Sequence, residues 1–190
     1  IFIGIMGLTL LWGEYKKSLV LRYVFKPLTI LLILLIPVLD SHFHYKINYQ
    51  SFIILGLALS MLGDICLMFN NRYFIPGLFA FLLAHLAYIA AFISVAGINI
   101  SWIFFIFLIT GILVFKLFYR RLGKLRMPVA VYILVILLMT WQGWELYLES
   151  SLIGFGLAAF GSLFFVVSDF VLAVNKFLKP KKRPIELIVA

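Results

Sequence analysis

The sequence predicts an all-α membrane protein, a polytopic helical bundle of about eight transmembrane helices. Of its 190 residues, 65% are hydrophobic and only 12% are charged, and the mean hydropathy is +1.18. Soluble domains carry about 25% charged residues. Apolar stretches long enough to cross a bilayer follow one another with short breaks, and basic residues fall almost entirely in alternate breaks. These observations exclude a soluble fold.

Glycine, proline and charged residues divide the chain into seven clear hydrophobic spans and the start of an eighth. We expect the first span to be cut short, the last to be truncated, and all of them to form one integral membrane domain over residues 1–190. The expected spans are 1–13, 24–39, 51–69, 75–96, 98–118, 127–147, 151–175 and 184–190.

The charges predict the orientation of the chain in the membrane. Fifteen of the sixteen lysines and arginines lie in the odd-numbered connections, and only Lys46 lies in an even one. Cytoplasmic loops are rich in basic residues, so we expect the odd connections in the cytoplasm and the N-terminus outside. The formal net charge of +9 is thus mainly a topology signal. Since no basic stretch is interleaved with aromatic residues on a soluble face, nucleic acid is not an expected partner.

Function is expected inside the helices, because the connections are short. Ionisable residues within spans are expensive and commonly functional, and here they are Asp64, His85, Glu145 and Asp169. Glu145 lies at the outer end of its span beside Trp141, and we expect it to be interfacial. Asp64, His85 and Asp169 remain as candidates for a functional site.

The two aspartates are expected at the same depth. Asp64 lies six residues before Asn70, and Asp169 six before Asn175, so each is about 9 Å from the cytoplasmic end of its helix. The residues around the two aspartates match each other, a pattern we call the internal echo, which indicates either an internal repeat or a chance similarity. The matching pairs are Gly56/Gly161, Asp64/Asp169, Leu67/Leu172, Asn70/Asn175 and Pro27/Pro128. A true repeat would give two parallel four-helix halves and bring the two aspartates toward each other.

Other polar groups are expected near the aspartates. Gly77, Phe81 and His85 recur every four residues on one helix face, and His85 is expected about one turn deeper than the aspartates. Tyr132 lies one turn into the sixth span from the cytoplasm, and Lys26 begins the second span on that side. A carboxyl pair in such a bundle can act as acid and base in the cleavage of an acetal-like carbon through an oxocarbenium-like cation.

The sequence resembles the lysoplasmalogenase, or YhhN-like, family of multi-span membrane proteins. The order and spacing of weak motifs over most of the chain carry the resemblance: Lys26-Pro27, Gly63-Asp64 with Leu67, the run Gly77, Phe81, His85 and Tyr88, Pro128 with Tyr132, and Gly161 with Ser168-Asp169, Leu172 and Phe177. Membership implies eight spans and hydrolysis of the vinyl-ether bond of a lysoplasmalogen, giving a fatty aldehyde and a glycerophospho-ethanolamine or glycerophosphocholine. Another lysolipid as substrate stays open.

The resemblance implies roles for particular residues. The two family aspartates correspond to Asp64 and Asp169, as the catalytic acid and base in an order left open. The predicted contacts with the lysophospholipid substrate, within membrane lipid, are Lys26 to the phosphate, His85 and Tyr132 to water or the glycerol hydroxyl, and Ser168 and Asn175. We expect no cofactor and no metal, since the polar loop residues Asp40, His42 and His44 lie outside and away from the other groups.

Structural explanations compete with these roles. An aspartate or histidine in a span can form a hydrogen bond between helices, Tyr132 can anchor the helix at the interface, and Lys26 can be a positive-inside charge. The alternative function is a small non-enzymatic lipid-binding protein or proton-coupled transporter. A single cavity open toward the cytoplasm would favour the hydrolase, and a passage with two gates would favour transport.

Overall fold

The computed structural model of this protein describes residues 31–33, 35, 47–68 and 73–178. Within these residues the fold is helical and contains no strand. The long helices are α1 (Ile47–Met68), α2 (Phe74–Ala96), α3 (Trp102–Tyr119), α4 (Arg126–Ser150) and α5 (Ile153–Ala173). A 3₁₀ turn, Gly123–Leu125, precedes α4, and a π-helical turn, Val174–Leu178, extends α5.

The all-α bundle predicted from hydropathy is confirmed. All five long helices are long and apolar enough to cross a membrane, and they correspond to the third to seventh expected spans. Their ends differ from the expected ones by a few residues; α1 begins four residues earlier than predicted and α3 four residues later. Residues 31–33 and 35 of the second span are helical. The first and eighth spans and the rest of the second lie outside the described residues, so the total of eight stays a prediction.

Helix α4 is the centre of the described bundle. It packs on α2, α3 and α5, while α1 packs along α2 as an antiparallel hairpin. Small residues permit the close approaches: a Cβ added at Gly143 of α4 would lie 3.3 Å from the Phe92 ring of α2 and 3.6 Å from the Ala159 backbone of α5. Membrane helices associate through such small-residue contacts, because lipid provides no hydrophobic drive between them.

The two ends of the bundle differ in charge. The basic end, as we call it, carries the five described cations nearest the helix termini: Arg120, Arg121, Lys124, Arg126 and Lys176. At the opposite end, Gly97 adopts a φ of 75° and closes α2 with a 2.8 Å bond from its N–H to the Ile93 carbonyl. Ser101 then caps α3 by accepting a 3.2 Å bond from the Ile103 N–H. The basic end corresponds to the odd connections of the sequence.

Glu145 is buried at the opposite end, with only 5% of its surface exposed. Its Oε1 accepts a 2.8 Å hydrogen bond from Trp141 Nε1 and another from the Ser101 hydroxyl. The position near a helix end agrees with the sequence expectation. The carboxylate is nevertheless enclosed, and it ties α4 to the start of α3.

The glycines paired by the internal echo are packed differently. A Cβ at Gly56 would collide with the Tyr88 ring, whereas a Cβ at Gly161 would have open space. The absence of a side chain at Gly56 therefore permits the close contact between α1 and α2. No described residue packs closely enough on Gly161 to require a glycine there. The parallel repeat stays a prediction, since its second span lies mostly outside the described residues.

Candidate functional site

Tyr132 and Asp169 form a hydrogen-bonded pair between α4 and α5. The Tyr132 hydroxyl donates to Asp169 Oδ2, and only 7% of the surface of Tyr132 is exposed. Val129 and Ile136, one turn to either side on α4, are buried as well, so the helix face that carries Tyr132 is directed inward. The pair lies within apolar helices, where a hydrogen bond has few competing partners.

His85 packs beside this pair from α2. Its ring centroid lies 5.5 Å from that of Tyr132 and 5.8 Å from that of Phe165, which is one turn before Asp169 on α5. The side chain is fully buried, and neither ring nitrogen has a hydrogen-bond partner among the described residues. A buried polar group without a partner costs free energy, and in native structures it commonly has a functional explanation.

Asp64 lies on α1, the helix that packs along α2. The side chain is half-buried, and its neighbour Gly63 faces the Phe81 ring so closely that an added Cβ would lie 2.6 Å from it. Phe81 stacks on His85, with centroids 6.4 Å apart and ring planes at 27°. One turn before Asp64, the Ser60 and Tyr88 hydroxyls are 3.3 Å apart and share a hydrogen bond. Asp64 is thus linked to His85 through the Gly63–Phe81 contact.

A cavity of about 80 Å³ adjoins these residues. Asp169 and Tyr132 provide polar groups to its wall, together with Thr110 of α3. Leu67, Phe81 and other apolar side chains line the rest, so the wall is apolar apart from these three polar groups. Thr110 donates its hydroxyl to the Ile106 carbonyl at 2.8 Å, and its oxygen can still accept a hydrogen bond.

Three phenylalanines surround the part of the cavity nearest the basic end, and we call them the aromatic collar: Phe74, Phe118 and Phe177. The Phe177 ring lies 6.2 Å from Phe74 and 6.4 Å from Phe118, both edge-to-face. All three line the cavity. The collar therefore separates the Tyr132–Asp169 pair from the charged surface.

The structure brings together some of the predicted site residues. Tyr132 contacts both His85 and Asp169. Tyr132 and Asp169 line the cavity, whereas His85 and Asp64 do not, although Leu67, three residues after Asp64, does. The predicted substrate contacts are both exposed, Ser168 on α5 and Asn175 in the π-helical turn that follows it. Lys26 lies outside the described residues.

Two polar residues near the site, Thr110 and Ser60, were not predicted from the sequence. Thr110 occurs in an otherwise apolar helix with no charged neighbour, and nothing in its sequence context points to the cavity. Ser60 could have been predicted, because it precedes Asp64 by one helical turn and therefore lies on the same face of α1.

Among the residues that the structure describes, no group of three His, Cys, Asp or Glu side chains is arranged to hold a metal ion. The polar loop residues Asp40, His42 and His44 lie outside them.

The fold and the site define an integral, multi-pass membrane protein with a polar centre enclosed by its helices. The chain belongs to the YhhN family, whose family model matches residues 21–190. This membership confirms the resemblance seen in the motifs.

The chain is 31% identical over 140 residues to the uncharacterized membrane protein YhhN of Escherichia coli, covering 71% of this chain and 64% of that protein. It is 33% identical over 125 residues to human lysoplasmalogenase TMEM86B, covering 66% and 51%. With human lysoplasmalogenase TMEM86A it shares 30% over 135 residues, covering 67% and 55%. The matches thus span about half to two thirds of these relatives' length. No solved structure matched the chain.

Proposed function

We propose that this protein is a membrane lysoplasmalogenase that hydrolyses the vinyl-ether bond of alkenyl-glycerophospho-ethanolamine or alkenyl-glycerophosphocholine. The observation that carries the proposal is the Asp169 carboxyl on the wall of an apolar cavity, hydrogen-bonded by Tyr132. The names of the human relatives support the same reaction class.

In the proposed reaction, a protonated aspartate gives its proton to the vinyl carbon that does not bear oxygen. The oxygen-bearing carbon becomes an oxocarbenium-like cation, and water adds to it while the second aspartate takes a proton from that water. The resulting hemiacetal then collapses: its C–O bond to glycerol breaks, the hemiacetal hydroxyl loses a proton and the glycerol oxygen gains one. The products are a fatty aldehyde and the glycerophospho-alcohol, and one water is consumed.

Asp64 and Asp169 are the proposed acid and base. Asp169 accepts a hydrogen bond from Tyr132, the kind of contact expected of a carboxylate that guides water. The unpartnered His85 nitrogens lie beside the Tyr132 ring, so His85 is available to hold water or the glycerol hydroxyl. The proposed contacts of Lys26, Ser168 and Asn175 with the lysolipid come from the family resemblance.

The apolar lining supports a lipid substrate. A single-chain lysophospholipid partitions into the bilayer with its chain among the lipid tails and its phosphate at the surface. The cavity has a similar order of surroundings: an apolar wall, then the Asp169 carboxyl group, and then the aromatic collar toward the basic end. We place that end at the cytoplasmic face of a bacterial inner membrane.

The position of the cavity favours a hydrolase over a transporter. The cavity at Asp169 occupies the half of the described bundle nearer the basic end, and Phe92, Leu146 and Phe155 are buried in the other half. A second groove, between α3 and α4, is lined from Lys116 to Trp141, but none of the proposed catalytic residues lines it. Transport would need a second opening at that end.

The experiment uses purified protein in detergent with three matched lysolipids: a vinyl-ether, a saturated alkyl-ether and an ester form with the same head group. We expect a fatty aldehyde, detected by mass spectrometry, from the vinyl ether alone. In D₂O the aldehyde should carry one deuterium on the carbon next to the carbonyl. Absence of aldehyde from every vinyl-ether head group tried would contradict the proposal.

A further inference from the structure

Lys176 lies in the π-helical turn that follows α5, seven residues after Asp169. Seven residues advance about 10 Å along a helix axis. The π turn rotates Lys176 away from the helix face that carries Asp169, and Phe177, the next residue, lines the cavity. Single π turns within helices are frequent at functional sites. Lys176 is therefore placed two turns closer to the basic end than the carboxyl group in the cavity.

The Lys176 ammonium group lies at the aromatic collar. Its Nζ is 4.4 Å from the centroid of the Phe74 ring, and Phe74 lines the cavity together with Phe177, the next residue after Lys176. The side chain is half-buried. A positive charge is thus held at the rim of an apolar chamber whose other polar end is the Tyr132–Asp169 pair.

A neighbouring cation supports the same turn. Arg121, in the connection between α3 and α4, donates from Nη1 to the Leu178 carbonyl at 3.4 Å. This contact anchors the end of the π turn against that connection. An anion bound at Lys176 would lie beside an apolar wall, where water screens charge less than it does at an open surface.

The separation of Lys176 from Asp169 fits a glycerophospholipid. Five bonds join the ether oxygen of a lysolipid to its phosphorus, and an extended chain advances about 1.2 Å per bond, or about 6 Å in all. A charge-assisted hydrogen bond to the phosphate adds about 3 Å. The total of about 9 Å is close to the axial separation of about 10 Å between the two residues.

We propose that Lys176, at the aromatic collar, binds the phosphate of the lysolipid while the ether bond lies at Asp169. This inference rests on the proposed function for the identity of the lipid. The contact with Phe74 places the ammonium at the rim, and a charge-assisted hydrogen bond to a phosphate is stronger than a cation–π contact at a partly exposed site. Lys176 is then a substrate-binding residue that defines how deeply the lipid enters.

The test compares two vinyl-ether substrates, an alkenyl lysophospholipid and the phosphate-free alkenylglycerol of the same chain length. Lys176→Met should lower kcat/KM for the phospholipid about tenfold or more, mainly through KM, and leave the alkenylglycerol unchanged. Lys176→Arg should keep most of the activity. Lys116→Met is the matched control, because Lys116 is exposed on α3 and lines a different groove, and it should change neither substrate.

Binding of the saturated alkyl lysophospholipid is measured in parallel, since this ligand carries the phosphate and lacks the reacting bond. Weaker binding in Lys176→Met than in wild type supports the phosphate site even if no vinyl ether is cleaved, in which case the proposed function alone fails. Unchanged binding, or an equal loss of activity on both substrates, would overturn the role of Lys176.

Discussion

The Tyr132 hydroxyl donates a hydrogen bond to Asp169 Oδ2 across the α4–α5 contact. The two residues are 37 positions apart in the chain, and they meet because α5 returns antiparallel along α4 after a turn at Ser151, whose φ is 53°. The bond fixes the direction of a carboxyl group on the cavity wall. Its removal should therefore affect chemistry at the cavity more than the stability of the bundle.

Tyr132→Phe removes this hydroxyl and keeps the ring contact with His85. We expect aldehyde release to fall about 10- to 100-fold, the loss expected for one hydrogen bond to a charged group. The measurement is kcat/KM for the alkenyl lysophospholipid. Tyr119→Phe is the control, because Tyr119 lies at the basic end with Arg126 over its ring at 4.3 Å, and it should retain wild-type activity. Equal losses in both variants would contradict the assignment.

His85→Phe separates stability from activity. The ring would remain among Phe81, Tyr132 and Phe165, and two buried nitrogens without described partners would be replaced by apolar atoms. We expect the thermal unfolding temperature in detergent to stay the same or to rise, while aldehyde release falls. A large drop in the unfolding temperature would show that His85 is a structural residue.

Gly63→Ala tests the contact between the Asp64 segment and α2. The new methyl would lie 2.6 Å from the Phe81 ring, so Phe81 must shift, and with it the ring that stacks on His85. We expect lower activity and a loss of about 1–3 kcal/mol in the free energy of unfolding. Gly154→Ala is the matched control, because a Cβ there meets nothing within 4 Å. That variant should keep its activity and be slightly more stable.

Glu145→Ala should destabilise the protein without direct effect on the site. It leaves Trp141 Nε1 and the Ser101 hydroxyl without their shared acceptor at the opposite end of the bundle. We expect a loss of about 1–3 kcal/mol in the free energy of unfolding, followed by tryptophan fluorescence in detergent. Glu145→Gln retains an acceptor oxygen and should lose less. Intact stability in the alanine variant would mean that the two bonds contribute little.

Much of the fold was predictable, because hydropathy and charge act locally. The transition from the basic Lys124–Arg126 stretch to an apolar run located the start of α4, and Arg126 is its first residue. Helix ends depend on finer features. The fifth span was expected to begin at residue 98, but the extended Ser101 cap places the start of α3 at Trp102.

The candidate site was only partly predictable from sequence. Depth along a helix follows from residue counting, which is why His85 was expected close to Tyr132 and Asp169. Which helices are neighbours depends on packing across the whole bundle, and no periodicity within one span reveals it. For the same reason Glu145 was expected at the interface: its partner Ser101 is 44 residues away, and a carboxylate beside tryptophans at a helix end fits a membrane interface equally well.

Asp64 and Asp169 are proposed to cleave the vinyl ether together, and substitution of each by a neutral side chain tests this proposal directly. Aldehyde release from the alkenyl lysophospholipid is measured for wild type, Asp64→Asn, Asp169→Asn and the control Glu149→Gln. Glu149 is an exposed carboxylate at the opposite end, where it accepts a hydrogen bond from Asn99. Each aspartate variant should lose at least about 100-fold in rate, and the control should match wild type. Wild-type aldehyde release by either folded aspartate variant would contradict the account.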